Sequence, residues 1–109
     1  MAGPKIPGHE VCEVLRKAIS GQLVVDLGMP SVTWDEVYAG IVSFRFDNWQ
    51  ISFYNDSDEL DYCEVAIAPD GRREVFLTWD SSSEEPVSLL TDSERQVLEQ
   101  ILKTAGSSR

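Results

Sequence analysis

At Gly40 the spacing of apolar residues changes from every third or fourth position to every second, and that change sets the fold class. Val42, Phe44 and Phe46 alternate with Ser43 and Arg45. After Asp47-Asn48 the alternation resumes, with Trp49, Ile51 and Phe53 against Gln50, Ser52 and Tyr54. A period of two puts successive side chains on opposite faces of a strand. Asp and Asn tolerate the left-handed backbone of tight turns, so the two runs read as one hairpin. A third strand is expected from about Tyr62 to Ala68, with Cys63, Val65 and Ile67 on one face. A fourth is expected from about Arg73 to Trp79, with Val75, Leu77 and Trp79 turned inward. Pro69-Asp70-Gly71-Arg72 between them is a turn signal. Short connections between sequential strands favour an antiparallel meander.

Helical periodicity flanks the strands. From His9 to about Gly21, Val11, Val14, Leu15, Ala18 and Ile19 follow the i, i+3, i+4, i+7, i+8 series of one buried face. Glu10 and Glu13 come early and Arg16 and Lys17 late, matching the helix dipole. Near the C-terminus, Thr91-Asp92-Ser93-Glu94 is a capping box. It opens a helix whose apolar stripe is Val97, Leu98, Ile101, Leu102 and Ala105, with Gly106 as its stop. Leu23 to Leu27, ended by Gly28-Met29-Pro30, is either a short edge strand or a packed connection. Ser31 to Gly40 either takes one helical turn capped by Ser31 or Thr33 or leads straight into the hairpin. Asp80 to Ser88 is polar and reads as an exposed loop. The expected class is therefore α+β: an antiparallel meander of four strands, or five, with an N-terminal and a C-terminal helix on one face. Residues 1–109 form a single domain, with residues 1–8 and 106–109 expected to be flexible.

Charge narrows the function. The chain of 109 residues carries 9 basic and 19 acidic side chains, a net charge of −10. Such a surface repels phosphate backbones and anionic membranes and suits a basic protein partner. No apolar run approaches the roughly 20 residues of a membrane span. The first residues lead into charged positions rather than an apolar signal segment, so a cytoplasmic location is expected. Cys12 and Cys63 lie in a helical and a strand pattern and read as small buried hydrophobes rather than a disulfide framework.

The densest charge lies between Asn55 and Glu64. There Asp56, Asp58, Glu59, Asp61 and Glu64 occur without a Lys or Arg. As an EF-hand loop starting at Asp56 the segment fails, because Leu60, Asp61 and Ile67 stand where an oxygen ligand, a glycine and a bidentate glutamate are required. A less regular oxygen site built on Asp56, Asp58 and Asp61 remains as an alternative. His9-x-x-Cys12 has usable zinc spacing, but there is no second His and the other Cys is distant. Neither a nucleophile elbow nor a phosphate-cradling glycine loop is present. No catalytic residue, cofactor or metal ligand is assigned.

Aromatic residues sit beside the acids. Trp34, Tyr38, Trp49, Tyr54, Tyr62 and Trp79 cannot all point inward. Exposed Tyr and Trp either anchor protein contacts or pack across strands on a half-solvated sheet face. Three stretches, Trp34-Asp35-Glu36-Val37-Tyr38-x-Gly40, Asn55-Asp56-x-Asp58-Glu59-Leu60-Asp61-Tyr62-Cys63 and Pro69-Asp70-Gly71-Arg72-Arg73, together resemble a family of small uncharacterised bacterial proteins, a domain of unknown function. The resemblance implies a compact stand-alone domain and supplies no catalytic residues. It also implies that the tryptophan stretch and the acidic stretch belong to one design.

The candidate interaction patch is accordingly Trp34, Asp35, Glu36, Tyr38, Asp56, Asp58, Glu59, Asp61, Tyr62 and Glu64. The reading is an acidic protein-interaction module docking on a basic protein, in the manner of an inhibitor, an immunity protein or a DNA mimic. The alternatives are a cation- or small-ligand-binding domain using the Asp-rich segment, and an uncharacterised enzyme. The chain acts as a monomer or, through an exposed sheet face bearing Ile41 and Tyr54, as a homodimer.

Overall fold

The computed structural model describes residues 5–28, 32–37 and 39–105. The expectations placed on Met29-Pro30, Ser31, Tyr38, Gly106, residues 1–4 and residues 106–109 lie outside the described residues. Helix α1 spans Gly8–Ile19 and buries Val11, Cys12, Val14, Leu15 and Ala18. Gly21, at φ +82°, follows it in the left-handed conformation that ends helices. Strands β1 (Val25–Leu27), β2 (Ala39–Phe46), β3 (Trp49–Asp56), β4 (Glu59–Ile67) and β5 (Arg73–Val75) form one sheet in sequential order. Every neighbouring pair is antiparallel. Helix α2 (Phe76–Ser81) follows directly, and helix α3 (Asp92–Thr104) closes the described chain. The fold is thus α+β, a five-stranded antiparallel meander, with Val25–Leu27 supplying the short edge strand.

The expected β2–β3 hairpin forms with Phe46 opposite Trp49, and Asp47 takes the positive φ of its two-residue turn. Val42, Phe44, Phe46, Ile51 and Phe53 are fully buried and meet Leu15 of α1 and Leu98 and Leu102 of α3 in one core. The capping box at α3 is present: Glu94 N–H donates to Thr91 Oγ1 at 3.1 Å, and Thr91 N–H donates to Glu94 at 2.9 Å. Arg16 of α1 donates to the same Glu94 at 2.9 Å and ties the two helices together. Val97 is partly exposed rather than part of the buried stripe.

Strand β4 departs from simple alternation. Ser52 faces Val65, Phe53 faces Cys63 and Asn55 faces Leu60, so β4 gains one extra residue on each side of Cys63. Each bulge turns the following side chains to the other face. The buried residues are therefore Leu60, Cys63, Ala66 and Ala68, while Val65 and Ile67, expected beside Cys63, lie on the opposite face half-buried. β4 also begins three residues before the expected start, at Glu59.

The expected fourth strand is corrected. Only Arg73–Val75 pairs with β4, and the chain becomes helical at Phe76. Continuing the register would set Leu77 opposite Cys63, whose N–H is already donated to Glu85 at 2.8 Å. With that ladder position taken, Leu77 points into solvent at 75 % exposure, and Trp79 reaches the core from α2 instead. The expected loop from Asp80 to Ser88 is corrected too. It contains the end of α2 and a 3₁₀ turn at Pro86–Leu89, with Glu85, Pro86 and Val87 buried.

Residues 5–8 make contacts with the rest of the domain. Ile6 is fully buried and its carbonyl accepts the Trp79 indole N–H at 2.8 Å. A Cβ on Gly8 would lie 1.6 Å from the Glu84 carbonyl oxygen, so α1 begins where only glycine fits. Arg72 donates to Glu10 at 2.7 Å and to the Lys5 carbonyl at 3.0 Å from the other side.

Candidate functional site

The tryptophan stretch and the acidic stretch do adjoin, through hydrogen bonds that build the scaffold. Residues Ser57 and Asp58 connect β3 to β4 with Asp56 opposite Glu59, and both take positive φ, 52° and 76°. Neither is glycine, so this mirror-image turn needs outside support. Asn55, fully buried, supplies it. Its Oδ1 accepts Asp58 N–H at 2.8 Å, and its Nδ2 donates to the carbonyls of Trp34, at 3.2 Å, and Val37. Trp34 opens a 3₁₀ turn at Trp34–Glu36, packs against Phe44 and donates its indole N–H to Asp58 at 3.1 Å. Lys103 of α3 approaches the other Asp58 oxygen at 3.6 Å.

Several patch residues therefore have structural duties. Trp34 is fully buried and is corrected from contact residue to core residue. Asp58 holds the Trp34 indole, and Glu36 accepts from the Thr33 N–H and hydroxyl, bonds that hold its carboxyl below the usual range. Asp35 is exposed beside them. Tyr62 stacks on Tyr54 at 5.3 Å with the rings 7° apart and meets Phe76 at 4.2 Å. This is the cross-strand packing alternative, on the sheet face turned away from α1 and α3. Burial raises the Tyr62 hydroxyl pKa, aided by Glu64 and Asp61. Glu64 itself is half-buried on β4.

Asp56, Glu59 and Asp61 are exposed and line a groove of about 390 Å³ between the free edge of β4 and the start of α3. Glu85, Ser88, Asp92 and Arg95 complete its polar wall, and Leu60, Val87 and Leu90 its floor. A second groove of about 400 Å³, sharing Glu59 and Arg95, runs on along α3 past Glu99 to Lys103. The β4 edge here is closed to further strand pairing: Leu60 N–H donates to Glu99 at 2.8 Å and Cys63 N–H to Glu85. Carboxylates that cap edge amides protect a sheet from unwanted pairing.

Glu85, Asn55, Asp92, Arg95 and Glu99 were not among the sequence-based candidates. Glu85 accepts three backbone N–H groups, from Cys63, Val87 and Ser88 at 2.8, 2.8 and 2.9 Å. Desolvation raises its carboxyl pKa, with those bonds opposing. Its one local signal was a carboxylate directly before Pro86, since proline favours the first position of a helical turn. Cys12 and Cys63 are buried, as their patterns implied; both thiols are free, and burial raises both pKa values. Among the described residues, no group of three or more His, Cys, Asp or Glu is arranged to hold a metal ion. None of the described helices is long and apolar enough to cross a membrane.

These features define a class: a small acidic meander with helices on one face and an acidic groove at one sheet edge. The chain belongs to the family described as a domain of unknown function (DUF7693), which it matches over residues 5–104. No curated protein and no solved structure matches it.

Proposed function

We propose that this protein is a cytoplasmic protein-interaction module whose acidic groove docks on a basic protein. The observation that carries the reading is that Asp56, Glu59, Asp61 and Asp92 line one open groove, with Arg95 as the one basic residue among the described residues of its wall. Together with a net charge of −10, that arrangement accelerates encounter with a cationic surface and rejects anionic ones. The groove rim is rigid, because Asn55 and Asp58 fix the hairpin tip and the capping box fixes the start of α3. A preformed site loses little entropy on binding. The carboxylates gather at an edge rather than in rows along a face, so an inhibitor- or immunity-like contact fits better than imitation of a nucleic-acid backbone.

The test compares wild-type bait with Asp56→Asn/Glu59→Gln/Asp61→Asn bait in low-salt pull-downs. Asp58 is spared because it holds Trp34. A basic protein retained by the wild type alone, whose purified form binds more weakly as salt rises, supports the reading. Identical captures by both baits would sink it.

A further inference from the structure

Glu85 is a buried carboxylate in the wall of the acidic groove. It is 8 % exposed and lines the groove together with Asp61. Its Oε2 accepts Cys63 N–H from β4 and Val87 N–H from the turn at Pro86–Leu89, and its Oε1 accepts Ser88 N–H. One carboxyl group thus joins two walls of the groove. Among the described residues, no Lys, Arg or His forms an ion pair with it. A carboxylate taken out of water needs a countercharge or a proton.

The elements packed around Glu85 withhold that countercharge. β4 sets Asp61 and the Cys63 thiol against it, and α1 the Cys12 thiol. Glu13 and Arg16 lie on the exposed side of α1, and Arg16 is committed to Glu94 and the Leu89 carbonyl. His9, near the start of α1, approaches Glu84 rather than Glu85. From α3 the groove receives Asp92 and Arg95, and among the described residues Arg95 makes no ion pair. Burial holds the Glu85 carboxyl above the usual range, its three N–H bonds oppose the rise, and Asp61 adds to it.

We propose that docking of a basic segment in the groove and protonation of Glu85 exclude one another, so that acidification releases the partner. This rests on the docking reading above and adds its regulation. A cation beside the carboxylate favours the ionised form, and a proton on the carboxylate removes one charge from the groove, so each weakens the other. On docking, the proton leaves the carboxyl for water and then the buffer. On release it returns to Oε1, the oxygen holding a single N–H, and weakens the Ser88 contact. The groove wall itself therefore registers the state of the acid.

The test uses a hexa-arginine amide peptide as probe and NMR as readout. The Glu85 carboxyl and Ser88 amide resonances are followed from about pH 7 to about pH 4, without peptide and with saturating peptide at equal ionic strength. The free protein should show one shared midpoint above 4.5 at both groups. Peptide should lower that midpoint by about one pH unit, which corresponds to about a tenfold loss of affinity across the transition. Glu85→Gln should still bind peptide and should lose that part of the pH dependence. Circular dichroism checks that this variant folds, and the wild-type titration decides the question without it. A midpoint that peptide leaves in place, while the Leu60 and Asp61 amides show it bound in the groove, overturns the proposal and spares the docking reading. Groove amides that do not respond to peptide at all sink the docking reading, and the coupling falls with it.

Discussion

Asn55 shows how one side chain can decide a local fold. Its amide satisfies three backbone groups of two segments that are far apart in sequence, and it is fully buried while doing so. Leaving a buried backbone group unpaired costs about 1–3 kcal/mol. Asn55→Ala should therefore lower unfolding free energy by at least about 2 kcal/mol in urea titrations, with the turn at Ser57-Asp58 losing order first. Glu85 is the second such residue, and it carries a pH signature. Its folded pKa is raised above the usual 4.5 by burial. The stability linked to its protonation is thus fully present below 4.5 and lost as pH rises through the raised value. Unfolding measured from about pH 7 down to about pH 4 should show the wild type gaining on Glu85→Gln as the acid protonates. A difference that stays constant would show that Glu85 titrates alike in folded and unfolded chains.

At the scale of elements, β4 and α2 are coupled. Two bulges and two carboxylate caps leave β4 only three residues, Val65–Ile67, to pair with β5, and the chain then turns into α2. Val75, Leu77 and Trp79 alternate as a strand does, yet the second half of that pattern is helical. The distinction is measurable. In α2 Leu77 is exposed, so Leu77→Asp should change stability by no more than about 0.5 kcal/mol. Trp79→Ala, which empties a fully buried site and orphans the Ile6 carbonyl, should cost about 3–5 kcal/mol. Comparable losses at both positions would instead favour a strand with both side chains inward.

Across the whole molecule, the distribution of charge matters more than its total. Basic residues are spent on scaffold contacts: Arg16 on Glu94, Arg72 on Glu10 and Asp70, Lys103 on Asp58. The groove is left with an acidic excess. Self-repulsion of this kind weakens the compact state at low ionic strength. Raising salt from about 10 mM to about 150 mM shortens the screening length from about 30 Å to about 8 Å. The thermal midpoint should therefore rise over that range, and it should rise less for Asp56→Asn/Glu59→Gln/Asp61→Asn. Equal rises would place the repulsion elsewhere on the surface.

Local pattern alone determined much of this protein. The β2–β3 hairpin, both terminal helices, the capping box at Thr91, the class of the fold and the acidic segment follow from periodicity and turn chemistry, which act within a few residues. The resemblance implied that the tryptophan and acidic stretches belong to one design, and the hydrogen bonds of Asn55 and Asp58 are what bring them together. Tertiary structure decided what long-range hydrogen bonds decide. Asn55 and Asp58 became props for Trp34, a buried residue rather than a contact residue. Glu85 and Glu99 claimed the β4 edge, and the fourth strand stopped at Val75. A side chain's charge is visible in sequence, but the backbone group that accepts or rejects it is chosen only when distant segments meet.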